Sequence, residues 1–461
     1  TNKAGNELET LTLDTATGGT LNVTLLDASS GALTVTDAAT VNINATATAA
    51  TAGSTGLVLD DTDTTALNLT GANTGYALST GAITNTSNLA TVSLTTSTAS
   101  GALTSGAIAD AAKMTGITVT GVIADATTGA IGGTTEAGLL TSITANASGG
   151  STVTLGAING DDTAAGDSAT LAISLTGASD GDIQAGAISA TDSNISATVA
   201  VANTTTASAI TSLSGSTVSV TLTGAGDIDL GAMTAVTTGT IDASNYSGGL
   251  SADLAAIGTI ATVTTGSGAV TSLKAASGAS GATTVITLGA ANEVTDQLVM
   301  NTSNGSGITL NNFNAGATAG DAIDIDVSGV EAVAAGSNLM SATGGTSLAT
   351  DTLSIHTLTS TASTLDLANA GSDEIITVDG TFATTSLLET ALQTGGAFAL
   401  IVGAAADFTE GADAFLVAWD DGTSSYLGVA DATTASAETS NVFDADATFT
   451  AIGITTLITF T

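Results

Sequence analysis

Apolar and polar residues alternate in short runs along the first 300 or so residues of the chain. Thr217 to Leu222 and Ile117 to Thr120 are two such runs. Successive side chains of a β-strand point to opposite faces, so these runs place Val, Ile and Leu on one face and Ser and Thr on the other. Clusters of Gly and Asp-Gly separate the runs and are typical of turns. The pattern predicts many short strands, each with one buried face.

A short phrase, Gly-Ala-Ile or a near relative, recurs throughout this region. The first four copies begin 25 residues apart, at Gly31, Gly56, Gly81 and Gly106. Later copies follow at looser intervals and begin at Gly129, Gly156, Gly186, Gly231, Gly268 and Gly289. A unit of this length cannot bury a face alone and becomes stable only when copies stack. The repeat therefore predicts an all-β fold, a right-handed parallel β-solenoid (β-helix) of about a dozen coils.

The distribution of aromatic residues predicts a domain boundary. Only Tyr76 and Tyr246 precede residue 313, whereas all 8 Phe and the single Trp follow residue 312. Large aromatic side chains are typical of a thick globular core, and small Thr, Ser, Gly and Ala are suited to closely stacked coils. We therefore expect a repetitive β-solenoid over residues 1–310 and a mainly β C-terminal module over residues 311–461.

Two elements of the C-terminal module can be predicted from local signals. Ser386 and Glu389 have the spacing of a helix-capping box, and Gly395-Gly396 would end the helix, which predicts one short helix from Leu387 to Thr394. The segment from Val417 to Val429 has an Asp-Gly turn between two apolar runs and predicts a β-hairpin.

The charge balance excludes several classes of partner. The chain has 3 basic residues against 42 acidic ones, a formal net charge of -39. Such a chain has nothing with which to neutralise phosphates, so nucleic acid and anionic membrane surfaces are not expected as partners. The longest apolar stretch, residues 397–406, is too short to span a bilayer, so no membrane insertion is expected. Cys is absent, which leaves repetition and bound metal as sources of stability in an exported protein.

Clustered carboxylates are the strongest candidate chemistry. Calcium binds six to eight oxygen ligands in flexible geometry, and acidic turns supply both carboxylate and carbonyl oxygens. We therefore expect Ca²⁺ as the cofactor, although none of the clusters matches an EF-hand loop or the calcium-binding glycine-rich nonapeptide. The alternative is that these side chains simply decorate solvated turns. The candidate ligands are Asp60, Asp61, Asp63, Asp161, Asp162, Asp167, Asp180, Asp182, Asp227, Asp229, Asp321, Asp324 and Asp326.

Enzymatic chemistry is not expected. His356 is the only histidine, and Ser354 two residues before it merely shares its face of a strand. A polysaccharide-cleaving β-helix is a rival interpretation, because paired carboxylates can act as acid and base. Such an enzyme would also need aromatic and basic groups to hold sugar, and the repetitive region has almost none.

The C-terminal part resembles the uncleaved secretion modules of large bacterial proteins exported by the type I (ABC transporter) route, including RTX-like surface-layer proteins. The resemblance lies in Asn312 to Gly316 followed by Gly320 to Ile325, in the hairpin from Asp413 to Val429, and in the apolar ending from Leu457 to Thr461. It implies secretion, Ca²⁺-assisted folding outside the cell and self-assembly into a lattice.

These observations together favour a secreted structural protein located outside the cell, at the cell surface. We expect it to assemble with copies of itself into a surface layer (S-layer), sheath or filament in which Ca²⁺ bridges acidic subunits. Cell-surface polysaccharide is a further candidate partner. The main alternative is an adhesin or biofilm-matrix protein that presents a C-terminal binding head, and the third is the polysaccharide-active enzyme.

Overall fold

The structure is a computed structural model of the whole 461-residue chain. It describes residues 10–25, 31–45, 51–60, 62–71, 77–97, 101–135, 137–160, 170–268, 270–274, 283–289, 296–300, 307–314, 320–325, 338–339, 354–359, 374–393, 396–398, 401–402, 413–434 and 447–461. Within this part of the chain, no helix is both long and apolar enough to cross a membrane.

The described residues form strands almost throughout, with one short helix. The strands before residue 202 are β1 Thr10–Leu25, β2 Ala32–Ala45, β3 Thr51–Val58, β4 Ala66–Gly71, β5 Ala77–Thr84, β6 Thr91–Thr96, β7 Leu103–Thr104, β8 Ile108–Asp110, β9 Gly116–Gly121, β10 Ala126–Thr127, β11 Ile131–Thr135, β12 Ser142–Ala147, β13 Thr152–Leu155, β14 Ile158–Asn159, β15 Thr170–Gly177 and β16 Asp182–Val201. The later elements are β17 Ser208–Gly224, β18 Ile228–Tyr246, β19 Leu250–Ile257, β20 Ile260–Thr264, β21 Val270–Lys274, β22 Thr283–Thr287, β23 Gln297–Met300, β24 Ile308–Asn311, β25 Ala322–Ile325, β26 Asn338–Leu339, β27 Ser354–Leu358, β28 Glu374–Thr381, α1 Thr385–Leu392, β29 Ile401–Val402, β30 Asp413–Asp420, β31 Ser425–Thr434 and β32 Ala447–Phe460.

The predicted all-β solenoid is confirmed, with about 11 turns. Each coil contributes a strand to each of three stacks of parallel strands. We call these stacks columns 1, 2 and 3, in the order in which the chain passes through them. Column 1 contains β8, β11 and β14; column 2 contains β9, β12 and β15; column 3 contains β7, β10 and β13. The long strands β16 and β17 each continue from one column into the next. Their pairing shifts register where one column ends and the next begins, as between Ala190 and Asn194.

The recurring Gly-Ala-Ile phrase forms column 1. Its apolar residue stacks in register on the one below, so that Ile83, Ile108, Ile131 and Ile158 make a buried ladder. The glycines stack as well, and a Cβ added to Gly129 would lie 2.5 Å from the carbonyl carbon of Gly106. Real Cβ atoms do not approach backbone this closely, so the glycine is required by the close approach of successive coils.

Column 2 contains the alternating runs that the sequence predicted as strands. In the six-residue strands β4, β6, β9 and β12 the second, fourth and sixth residues are buried, and the others are partly or fully exposed. Val92, Ile117, Ile143 and Ile173 pair in register through four coils and form a continuous apolar ladder. Parallel pairing with this regularity lets each inner strand hydrogen-bond to a strand on both of its edges.

The chain divides into two compact units. The first contains residues 1–256 and 264–271, and the second contains residues 257–263 and 272–461. The described strands of the first unit belong to the coils of the solenoid. The proposed boundary near residue 310 stays a prediction, since parallel coil pairing continues in the second unit through β22–β24 and β23–β25.

The second unit also holds a cluster of larger side chains that lies around the helix. Phe382 and Phe398 meet edge to face with their ring centres 5.6 Å apart, and Trp419 stacks on Tyr426 at 5.0 Å. Leu388 and Leu392 of α1 are fully buried in this cluster. The predicted hairpin is present, because β30 and β31 pair in antiparallel register from Ala414–Asp431 to Asp420–Ser425.

The predicted short helix is present, but the capping box predicted for it is wrong. The helix begins two residues earlier than expected, at Thr385, and its N-cap is Thr384, whose Oγ1 accepts a hydrogen bond from the Leu387 backbone N–H. Glu389 accepts instead from the backbone N–H of Ile454 in β32, 2.8 Å away. The Glu389 carboxylate, which the local sequence pattern assigned to the helix cap, therefore makes a tertiary contact instead.

Strand β32 adds one more parallel strand to the coils of the second unit. Strand β32 pairs in parallel with β24, and the backbone N–H of Thr461 donates to the Leu310 carbonyl at 3.1 Å. The opposite edge of β32 pairs antiparallel with β31. This arrangement joins the coils of the second unit to its antiparallel strands through one shared strand, which covers the backbone edge of β24.

Candidate metal-binding site

Three carboxylates converge at the corner between columns 1 and 2 near the start of the solenoid. Asp37 lies within β2, where the strand turns from column 1 to column 2, and Asp60 and Asp63 lie on the next coil after β3. One carboxylate oxygen from each of the three residues lies within 4.8 Å of the others, and all three side chains are half-buried. Stacking brings together residues that belong to different repeats.

The backbone of Asp37 brings this residue into contact with the Asp60 carboxylate. Its φ is +58°, in the left-handed region that Asp and Asn tolerate better than other residues with side chains. Its backbone N–H donates to Asp60 Oδ2 at 2.8 Å. The other oxygen of Asp60, Oδ1, accepts from the Thr62 backbone N–H and from Thr62 Oγ1. These hydrogen bonds fix the Asp60 carboxylate without neutralising its charge.

The electrostatics of the corner differ between two of its members. Hydrogen bonds from the backbone N–H groups of Asp37 and Thr62 lower the pKa of Asp60 to about 2. Desolvation, and then the charges of Asp14, Asp60 and Asp63, raise the pKa of Asp37. Asp14 lies one coil earlier, and its Oδ1 accepts from Thr36 Oγ1 at 3.2 Å. Like charges from successive coils therefore meet at this corner, and they raise the pKa of Asp37.

A hard cation would suit this arrangement. Calcium binds carboxylate oxygens at about 2.3–2.6 Å, and several oxygens from different chain segments can share one ion. A cation between the three carboxylates would replace their mutual repulsion with attraction, and the largest benefit would fall on Asp37. Within the part of the chain that the structure describes, this is the one group of three such side chains close enough to share an ion.

The structure places the other predicted ligands individually. Asp180 and Asp227 lie at the corner between columns 2 and 3, where each accepts a backbone N–H from a neighbouring coil, from Gly149 at 2.9 Å and Gly249 at 2.7 Å. Asp229 accepts from Gly231 N–H in its own turn at 2.8 Å. These three carboxylates stabilise turns and coil contacts, and no other described carboxylate joins any of them in a group of three.

The remaining described candidates form no group of three either. Asp182 is buried and accepts from Asn203 Nδ2 at 2.7 Å. Asp321 accepts backbone N–H groups from Asp296 and Asn314, and Asp324 is exposed on β25. The candidates that lie outside the described residues are Asp61, Asp161, Asp162, Asp167 and Asp326.

The sequence prediction included Asp60 and Asp63 but missed Asp37 and Asp14. A signal for them exists, because Asp37 precedes Asp60 by 23 residues and Asp14 precedes Asp37 by the same interval. In a solenoid, acidic residues one coil apart stack even when each is isolated in the sequence. The spacing of single aspartates was therefore more informative than local clustering.

No family model matches the chain, and neither the curated proteins nor the solved structures contain a significant match.

Proposed function

We propose that this protein is a secreted structural protein whose copies assemble into a surface layer, sheath or filament outside the cell, with Ca²⁺ as the bridging and stabilising ion. The observation that supports this proposal is the solenoid of about 11 turns, built from in-register repeats. Repetition of this kind creates extended regular surfaces, which are suited to contacts with copies that carry the same repeat.

The strong negative charge of the chain is the reason that the proposal includes a cation. A net charge of -39 opposes close approach of two copies, and at short range only counter-ions can offset that repulsion. The Asp37, Asp60 and Asp63 corner supplies one place on the chain where a divalent cation would bind. We propose that calcium both stabilises this corner and permits copies to associate.

Electron microscopy of the full chain tests the assembly. We expect ordered sheets or filaments at about 1 mM calcium, the range in which extracellular modules bind the ion, and their loss when a chelator is added. Magnesium at the same concentration is the matched control, because it demands a tighter octahedral site. Particles that stay monomeric with calcium would contradict the proposed assembly, and assemblies that persist in chelator would contradict the role of the ion.

A further inference from the structure

Over most of the first unit, the described strands of column 2 carry no charged side chain on their outward face. Along β2, β4, β6, β9, β12, β15, β16 and β17 its outward positions in this column hold only Thr, Ser, Asn, Ala and Gly. We call this surface the neutral face. The first carboxylate at an outward position of this column is Asp242 in β18, which pairs with Thr221. In a chain with 42 acidic residues, a surface this long without charge is a distinct feature.

The neutral face is regular and smooth. Outward residues pair in register from coil to coil, as in Ser93, Thr118, Thr144, Ser174 and Thr198. At its start the amide side chains of Asn22, Asn42 and Asn68 hydrogen-bond in a ladder at 2.8 Å. Over all the strands of the face, more than half of the outward side chains are only partly exposed, because each packs against its neighbours about 4.8 Å above and below. The face is therefore a regular array of hydroxyl, methyl and amide groups.

Carboxylates flank the neutral face on both sides. Asp37, Asp63, Asp110 and Asp192 precede column 2 on their respective coils, and Asp125, Asp180 and Asp227 follow it. The acidic charge that would keep two copies apart is thus concentrated at the two corners. The strip between the corners is where a like-charged surface meets the least repulsion.

We propose that the neutral face is the surface through which two copies of this chain pack against each other. The inference rests on the proposed function, for which it names the contact surface. A two-fold symmetric contact uses the same patch on both copies, and the outward residues of this face repeat at one regular coil spacing, so two copies can align repeat against repeat. Face-to-face packing would bring the acidic corners of one copy near those of the other, which explains why a divalent cation would be needed for association.

Other partners fit the neutral face less well. Polyanions would meet the acidic corners on either side of it. Sugars are held in proteins by aromatic rings and charged groups, and the outward positions of column 2 named above have neither. A second copy of the chain has the same uncharged face, and its acidic corners would also need cations to offset their charge.

The test is a matched pair of Thr→Glu variants of the full chain. Thr198 is exposed on the neutral face in β16, and Thr234 is exposed on β18 in column 1. Both substitutions add one negative charge at an exposed strand position. Sedimentation velocity with calcium measures association, and circular dichroism verifies the fold. Thr221→Glu, also on the neutral face, replaces Thr198→Glu if that variant fails to fold.

We expect Thr198→Glu to raise the protein concentration needed for association by about tenfold or more, since an unpaired charge would be buried in the contact. Thr234→Glu should associate like the unmodified chain. Equal association of all three proteins would overturn the neutral-face contact and leave the proposed assembly standing. If the unmodified chain does not associate with calcium, both the contact and the proposed function are wrong. Loss of binding to a neutral polysaccharide on Thr198→Glu, without self-association, would assign the face to a foreign partner and overturn the proposal.

Discussion

At the residue scale, Asp37 is the most sensitive position of the acidic corner. Its carboxyl is desolvated and faces three other carboxylates, which raise its pKa above the usual 3.8, whereas hydrogen bonds hold the neighbouring Asp60 ionised. The pKa of Asp37 is thus raised while that of the adjacent Asp60 is lowered. The left-handed backbone at Asp37 is shared by Asn85, whose φ is +57°, so Asn can replace Asp there without new backbone strain.

Asp37→Asn should have opposite effects with and without calcium. Without the ion, the variant should unfold at a higher temperature than the unmodified chain, because one of the repelling charges is gone. In calcium it should bind the ion about tenfold or more weakly, since a charged ligand is lost. Thermal melts and calorimetric titration measure the two effects, with exposed Asp125→Asn as the control. Equal calcium affinity of Asp37→Asn and the unmodified chain would contradict the site.

Without calcium, the difference in melting temperature between Asp37→Asn and the unmodified chain should also depend on pH. A raised folded-state pKa favours folding when Asp37 is protonated, and that contribution is lost as pH rises from the unfolded value of 3.8 through the raised folded value. The variant and the unmodified chain should therefore have similar melting temperatures at about pH 3 and diverge towards about pH 6. A difference that is constant over this range would exclude titration of Asp37 as its cause.

At the element scale, the coil spacing explains which glycines of the repeat are replaceable. Gly129 and Gly133 lie in the same coil. A Cβ at Gly129 would collide with the Gly106 and Ala107 backbone at 2.5 Å, whereas one at Gly133 would have its nearest neighbour, Ala109 Cα, at 4.0 Å. The difference arises because one glycine stacks directly on a glycine of the coil below and the other does not.

Gly129→Ala should therefore destabilise the solenoid, by about 1–3 kcal/mol, as overpacking of a close contact does. Gly133→Ala is the matched control and should change stability by about 1 kcal/mol or less, in the stabilising direction, because Ala restricts the unfolded chain. Urea unfolding midpoints of the two variants measure the difference. Equal midpoints would mean that neighbouring coils separate at low cost.

The helix offers a comparison between local signal and structure. Thr384→Ala removes the N-cap side chain and should cost about 1 kcal/mol, whereas Ser386→Ala, at the position that the sequence pattern assigned to the cap, should be neutral or slightly stabilising. Urea unfolding followed by Trp419 fluorescence measures both variants, since Trp419 packs in the same cluster as α1. A larger cost for Ser386→Ala would restore the predicted capping box.

At the scale of the whole molecule, the charge balance dominates. With 42 acidic residues against 3 basic ones, repulsion is distributed over the surface, and the coils concentrate much of it at their corners. Salt shortens the range of this repulsion from about 30 Å at 0.01 M to about 3 Å at 1 M. The stability of the chain should respond to ionic strength even where no specific ion binds.

Sodium chloride should consequently raise the melting temperature of the calcium-free chain between about 0.01 M and 1 M. Asp37→Asn should gain less from salt than the unmodified chain, because part of its repulsion has already been removed. Differential scanning calorimetry at several salt concentrations measures both responses. A melting temperature independent of salt would show that the corners are not under electrostatic strain.

The sequence by itself determined the all-β class, the solenoid and the strands of column 2, because strand alternation and a repeat near 25 residues are local properties that stacking preserves. It also identified the hairpin around Asp421-Gly422, whose turn chemistry is contained in a few residues. Only the tertiary structure decided which carboxylates meet, since Asp37 joins Asp60 and Asp63 through the stacking of separate coils. The same reason explains the helix cap, where Glu389 contacts β32 rather than its own turn. Contacts between residues far apart in sequence depend on the register of the coils and on how the strands pack, and neither is contained in a short pattern.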